Sequence, residues 1–407
     1  MSLLAKRTVT QAMLRVTLLA GTAALLPGCV SPTAPPSPAT PPAAQSVAQS
    51  CPCLRLIGET TLAQRWNFGG TTVGGLSGID YDPVHRRYIL LSDDRSNVED
   101  ARFYTARIRY TADALLPTEF TSVTALRSAR GQPYPPRRRA VDGVDVPDPE
   151  AVRWLPGGET FLWTSEGDFG RGFGPALRAA QTANGALLRD YPQPAAFQPR
   201  PSEKSGPRNN DSLEGLALMP DGRTAWVAME GPWLQDGPRA TPQNGGAPVR
   251  LTAIDLPRGA ALRQIAYQPD AVPHASPLPG GYSTNGVSEI LADGPDHLLV
   301  LERSYTLAVG TSIRLYRIPL GDKDASDTLG VTALAPGNHV PVRKTLVADF
   351  SRLGLERLDN IEAMTWGEPL PGANAQGGPR RVLVFVSDDN FNPAQVTQFI
   401  AAEYLEP

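Results

Sequence analysis

Five times along the chain, an apolar run, a turn and a second apolar run close on an acidic cluster. The copies are LSGIDYDPVHRRYILLSDD from Leu76, DPEAVRWLPGGETFLWTSEGD from Asp148, SLEGLALMPDGRTAWVAMEG from Ser212, VSEILADGPDHLLVLERS from Val287 and NIEAMTWGEPLPGANAQGGPRRVLVFVSDDN from Asn360. The runs are four to seven residues long and rich in Val, Ile, Leu and aromatics. Asp-Pro, Pro-Gly-Gly, Pro-Asp-Gly or Asp-Gly-Pro separates them, which is the turn chemistry of a β-hairpin. Units this short cannot lay down a helical stripe, so the pattern predicts strands throughout.

Taking Gly78, Glu150, Glu214, Glu289 and Glu362 as equivalent positions, successive copies lie 72, 64, 75 and 73 residues apart. A regular period of that length points to a repeat architecture, and the hairpin content makes it a β-propeller. Further strand-like segments follow the first copy (ARFYTARIRY, FTSVTALRSA), the third (VRLTAIDL, LRQIAYQP) and the fourth (SIRLYRIPL, VRKTLVADF), giving four-stranded antiparallel blades. After the fifth hairpin only one strand, near Gln395–Tyr404, remains, so Leu54–Leu62 is expected to complete that blade and close the ring, removing an exposed sheet edge. The expected fold is all-β, a single propeller over 54–407 with five blades. Six is the alternative, if Gly167–Arg208 hides another; that segment lacks strongly apolar runs and reads as loops.

The N-terminal segment follows a different pattern. Lys6, Arg7 and Arg15 accompany an apolar stretch, Val16–Leu26, too short to span a bilayer, as in a signal peptide over 1–28. Leu26-Pro27-Gly28-Cys29 is similar to a bacterial lipoprotein box, with Cys29 the lipidated residue, and the Pro, Ala and Ser that dominate 29–53 cannot bury a core and form a tether. These features predict a lipid-anchored protein of the cell envelope, on the periplasmic face of the outer membrane, with secretion as the alternative. The membrane would be contacted through the lipid alone. Removing 1–28 takes away three basic residues and no acidic one, moving the formal charge from −3 to −6, which argues against a nucleic-acid partner. Cys51 and Cys53 would then be the remaining thiols, bridged or reduced, with no catalytic role. The four histidines form no zinc pattern, and there is no Gly-x-Ser-x-Gly elbow for a serine nucleophile.

Chemistry is carried instead by acids. Hairpin strands are antiparallel, so the start of each first strand and the end of each second strand meet at one face of a propeller. Glu150, Glu214, Glu289 and Glu362 start first strands; Asp93, Asp94, Glu166, Asp168, Glu230, Glu302, Asp388 and Asp389 close second strands. Such a rim repels itself unless cations neutralise it, and a divalent cation, calcium by preference, takes oxygen ligands in the numbers available. The candidate ligands are Glu150, Glu214, Glu289, Glu362, Asp94 and Asp388, with Asn210, Asn285 and Asn360 as possible neutral donors. Arg95 and Arg303 follow the acidic clusters and offer a fork for a phosphate or carboxylate, as do Lys204 and Arg208 upstream of the third copy. The candidate catalytic set is Glu214, Glu289, Arg95 and Arg303. Alternatively, these acids simply pair with the arginines and accept N–H bonds from turns.

GLSGIDYDP with RRYILLSDDRS, DPEAVRW with WTSEGD, NNDSLEGLALMPDGRTAWVAMEG, GVSEILADG with LLVLERSY, and NIEAMTWG with VFVSDDNFNP resemble the phytase-like family, labelled for esterase-like activity of phytase. The resemblance runs from about Leu54 to Tyr404. It implies an often exported β-propeller acting as a hydrolase on phosphate or other esters. Joined to the acidic rim, it gives metal-assisted hydrolysis of a small anionic ester by a monomer. Two alternatives stay open: a metal-dependent lactonase similar to gluconolactonases, whose Glu-Gly-Pro turn Glu230-Gly231-Pro232 resembles, and a non-enzymatic anchored propeller that binds a sugar, peptide or envelope partner.

Overall fold

The computed structural model describes residues 53–405 except 95, 96, 199, 201 and 203. Cys29, Cys51 and Arg95 lie outside the described residues. Among the described residues there are five antiparallel four-stranded sheets, arranged as the blades of a propeller. Blade 1 is Leu76–Asp82, Arg87–Ser92, Arg102–Arg107 and Glu119–Ala125; blade 2 is Pro149–Trp154, Thr160–Ser165, Ala176–Gln181 and Leu187–Tyr191. Blade 3 is Leu213–Leu218, Thr224–Met229, Val249–Asp255 and Ala260–Tyr267, and blade 4 is Ser283–Ala292, His297–Thr306, Gly310–Pro319 and Thr345–Asp349. Blade 5 comprises Ile361–Trp366, Val382–Ser387 and Gln398–Tyr404, completed by Leu54–Thr61 from the opposite end of the domain.

Two expectations are thereby settled. The ring closes as predicted: Leu54 pairs with Tyr404 and Thr61 with Gln398, and Arg55 holds the carboxylate of Glu403 through bonds of 3.0 and 2.7 Å. The stretch from Gly167 to Arg208, expected as loops, instead supplies both outer strands of blade 2. LLRDY carries no apolar run because Leu187 is only partly buried and Leu188, Arg189 and Asp190 are exposed; ALRAAQ is buried, but its run of small residues is interrupted by Arg178 and has none of the Val, Ile or aromatic residues that mark a strand.

The core lies between blades. Ile89, Leu91 and Phe103 of blade 1 meet Val152, Phe161 and Trp163 of blade 2; Leu299 and Leu301 of blade 4 meet Met364 and Phe385 of blade 5. Every one of these side chains is at most 1% exposed. At the axis, neighbouring first strands nearly touch: a Cβ on Gly215 would stand 2.9 Å from the Ile290 nitrogen and 3.2 Å from the Glu289 Cα.

Each first strand carries one extra residue near its start. Pairing goes from Leu76–Ser92 to Gly78–Leu91, from Leu213–Met229 to Gly215–Ala228, from Val287–Glu302 to Glu289–Leu301 and from Ile361–Ser387 to Ala363–Val386; blade 2 slips between Pro149 and Val152. Such bulges re-aim a side chain at the end of a strand.

Candidate functional site

The bulges define which residues are equivalent. Ser77, Glu214, Ser288 and Glu362 are the extra residues, and Glu150 takes that place in blade 2. Gly78 and Glu289, grouped with the glutamates from the sequence spacing, stand one residue further on. A shift of one residue turns a side chain to the other face.

Glu289 accordingly leaves the mouth and sits on the axis. Its carboxylate accepts N–H bonds from Leu216 and Ile290, both 2.9 Å. The Arg153 guanidinium lies 2.8 Å away without lining up as a hydrogen bond. Arg153 also donates to the carbonyls of Ile79 (2.8 Å), Ile290 (2.9 Å) and Met364 (3.2 Å). One arginine and one glutamate thus connect all five blades and fill the channel below the site. Glu289 is not among the residues lining the cavity above, which corrects its assignment as a ligand and catalytic group.

That cavity, about 790 Å³, opens at the face where first strands start and second strands end. Glu150, Glu214, Glu362, Asp94, Asp388 and Arg303 all line it, as the sequence anticipates, together with Glu166, Glu230 and Asp93. They fall into two groups. On one side, Glu362 lies 3.2 Å from the Arg303 Nε and accepts from Asn360 (3.0 Å) and Ser77 (3.3 Å), while Glu230 accepts from Arg303 at 2.8 Å. Burial works against the Arg303 charge, but Glu362, Glu230, Glu214 and Asp388 outweigh it and hold the guanidinium protonated. Asp94 is likewise committed, to the buried Arg102.

On the other side, the carboxylates of Glu150 and Glu214, residues each 5% exposed, form no hydrogen bond or ion pair with another described residue; Thr164 reaches only the Glu214 main-chain carbonyl, at 3.3 Å. One oxygen from each of Glu150, Glu166 and Glu214 lies within 4.8 Å of the others, and the same holds for Asp93, Asp148 and Glu150. Ligands at about 2.3–2.6 Å from one calcium ion stand no more than about 5 Å apart, so either trio fits around a single cation. Burial first, then Asp93 and Glu214, push the Glu150 carboxyl well above its ordinary range. Burial, then Glu230, Glu166 and Glu362, do the same to Glu214, against the pull of Arg303. Asp388, which accepts the Asn390 N–H at 2.7 Å, is raised by burial and by Glu362 and Asp93. Glu230 is pushed up to about 7 by burial, assisted by Asp211 and Glu362 and opposed by Arg303.

Other anticipated residues serve the scaffold. Glu302 is held by Tyr267 (2.6 Å), Asn285 (2.7 Å) and Lys344; Asp168 pairs with Arg137 at 2.6 Å; Arg208 donates to the carbonyls of Pro232 and Gly237. Asp148 was missed because it precedes the strand it serves; its signal is the acid two residues before Glu150.

The description phytase-like, esterase-like activity of phytase, matches residues 71–391. No curated protein matches the chain. Among solved structures, an exo-β-1,3-galactanase from Clostridium thermocellum is 9% identical over 85% of this chain and 62% of that one, with a TM-score of 0.44. A hydrazine synthase of Kuenenia stuttgartiensis is 12% identical over 82% of this chain and 98% of that one, TM-score 0.35. A putative 6-phosphogluconolactonase from Bacteroides uniformis is 12% identical over 79% and 80%, TM-score 0.32. Likeness this loose carries no argument about chemistry. The family match spans most of the propeller, and the chain belongs to the phytase-like family.

Proposed function

We propose that the protein hydrolyses a small anionic ester, with phosphate esters first among them, using a calcium ion held by Glu150, Glu166 and Glu214. The observation that carries the reading is the state of Glu150 and Glu214: two buried carboxylates facing other acids, with no cationic partner among the described residues. Ionised groups in that position cost several kcal/mol each unless a counter-charge is present, and a protein with no use for a cation there would be more stable with apolar or amide side chains. Asp93 and Asp148 extend the same cluster beyond Glu150.

A divalent ion in this place supplies a Lewis acid next to the ester and neutralises the acids. The chain's own residues do the rest. Arg303, half-buried between Glu230 and Glu362, turns one face of its guanidinium toward the anionic group and orients it. Glu230, with its carboxyl raised to about 7, suits proton transfer near neutral pH. It takes the proton of the attacking water as the new P–O bond forms and returns it to the alcohol as the ester P–O bond breaks. Arg95, proposed from sequence beside Asp93 and Asp94, remains a candidate second anion ligand.

The export signal and the lipid on Cys29 complete the proposal: a propeller tethered to an envelope membrane with its cavity open to a diffusible substrate. No described helix is long and apolar enough to cross a membrane; the proposed attachment is through the lipid on Cys29. Hydrolysis of 4-nitrophenyl phosphate by metal-stripped protein, before and after calcium is restored, tests the proposal: activity that returns with calcium supports it, and activity indifferent to chelation contradicts it.

A further inference from the structure

The first three strands of blade 4 are each ten residues long, whereas the first strands of blades 2, 3 and 5 are six. The extra length lies beyond the bulge, on the cavity side. The ladder runs on from Val287–Glu302 through Gly286–Arg303, Thr284–Tyr305 and Ser283–Thr306, raising a wall above the acidic floor. Side chains alternate along a strand, so Tyr305 shares the face of Arg303, and Tyr282 and Thr284 share that of Gly286. A Cβ on Gly286 would meet the Glu230 carbonyl at 2.8 Å; the glycine lets blade 3 pack against the base of the wall.

Tyr282 and Tyr305 both line the cavity. Their rings lie 6.5 Å apart and tilted by 38°, and they remain 56% and 37% exposed. Two aromatic rings open to solvent at the cavity that the half-buried Arg303 also lines need a reason, because exposed aromatic pairs otherwise cost solubility without adding to the core. The floor gives a second constraint: beside the acids already paired, Asp94 with Arg102, Asp211 with Arg239, Asp359 with Arg357, and Glu230 and Glu362 with Arg303, the carboxylates of Glu150, Glu214 and Asp388 line the cavity with no ion pair to another described residue. One cation and Arg303 can offset one or two negative charges on a ligand, not a dozen.

We infer that the substrate is an ester of low charge whose alcohol part carries a ring, with the anionic head on the floor and the ring face lying on Tyr282 and Tyr305. The inference rests on the reading of the floor as an ester site and adds the class of alcohol. It excludes multiply phosphorylated cyclitols as preferred substrates, because their remaining phosphates would lie over the carboxylates of Glu150, Glu214 and Asp388.

The test is binding by calorimetry, with calcium saturating, of inorganic phosphate, 4-nitrophenyl phosphate, glucose 6-phosphate and inositol hexakisphosphate, paired with turnover of the three esters. The 4-nitrophenyl and glucose arms distinguish an aryl from a pyranose ring. At least one of these two binds about tenfold more tightly than phosphate and more tightly than the hexakisphosphate, a gain in the range of aromatic stacking. The double variant Tyr282→Ala/Tyr305→Ala loses that gain while its melting temperature stays put. The inference is overturned if phosphate binds as tightly as both ring esters, if the hexakisphosphate binds most tightly, or if the variant keeps the gain. Tyrosine-dependent binding without turnover leaves the inference standing and removes the hydrolase reading; turnover indifferent to the tyrosines does the reverse.

Discussion

Arg153 and Glu289 face each other at 2.8 Å on the propeller axis, and through them every blade is tied to the others. Removing the arginine strands a buried carboxylate and leaves the carbonyls of Ile79, Ile290 and Met364 without their donor. Arg153→Met is expected to destabilise the fold by about 3–5 kcal/mol, as for breaking other buried pairs from one side. Denaturant unfolding checks this; a loss under about 1 kcal/mol would show that the tie is dispensable.

The same pair has a pH signature. Burial holds the Glu289 carboxyl up at about 7, against Arg153 and its two N–H donors. A raised acid binds its proton more tightly in the folded state, so its contribution to stability is present below about 4.5, the ordinary value, and is lost as pH rises through about 7. Wild type should therefore lose stability relative to Glu289→Gln over that interval. Urea midpoints of both proteins from pH 4.5 to 8 measure the difference, and parallel curves would refute the assignment.

Closure of the ring depends on the strand Leu54–Thr61 and its clasp. Arg380 and Arg55 both bond Glu403, holding its carboxyl down at about 2, with Arg380 the larger influence. That stabilisation exists above the ordinary carboxyl range and fades as pH falls toward 2. Deleting 54–61 uncovers the Gln398–Tyr404 edge and should lower the melting temperature by several degrees and promote aggregation. An unchanged melting temperature would mean that the ring does not close through this strand.

Attachment to the membrane is a separate expectation. Cys29→Ala should move the protein from the membrane fraction to the soluble fraction, since one acyl-bearing residue is the sole proposed anchor. Retention of the variant on membranes after a high-salt wash would remove the lipoprotein reading.

The fold was legible because a propeller repeats one hairpin and the hairpin's turns and apolar runs are local signals. Its ring closure was legible for the same reason: blade 5 lacked a strand and Leu54–Leu62 was left over. The outer strands of blade 2 were not, because exposed edges such as Leu187–Tyr191 carry little apolar pattern. For the site, the sequence located the acidic face and named Glu150, Glu214 and Arg303, but it could not register a bulge. VSEI and LEGL look superimposable Glu on Glu, whereas Val287 and Leu213 are the true partners, and this one-residue offset sent Glu289 to the axis. Nor does sequence show which acids are already paired. Asp94 with Arg102 and Glu362 with Arg303 read the same as Glu150 and Glu214 until the partners are placed.

On the proposed function, Glu150 and Glu214 are buried opposite other acids in order to hold a cation. Calorimetric titration of calcium into the metal-stripped wild type, Glu150→Gln and Glu214→Gln tests it most directly. Saturable binding by the wild type is expected, weakened at least about tenfold in each variant by loss of one ligand and one charge, with both variants folded and, without calcium, at least as stable as the wild type. No binding by the wild type, or affinity unchanged in both variants, would contradict it.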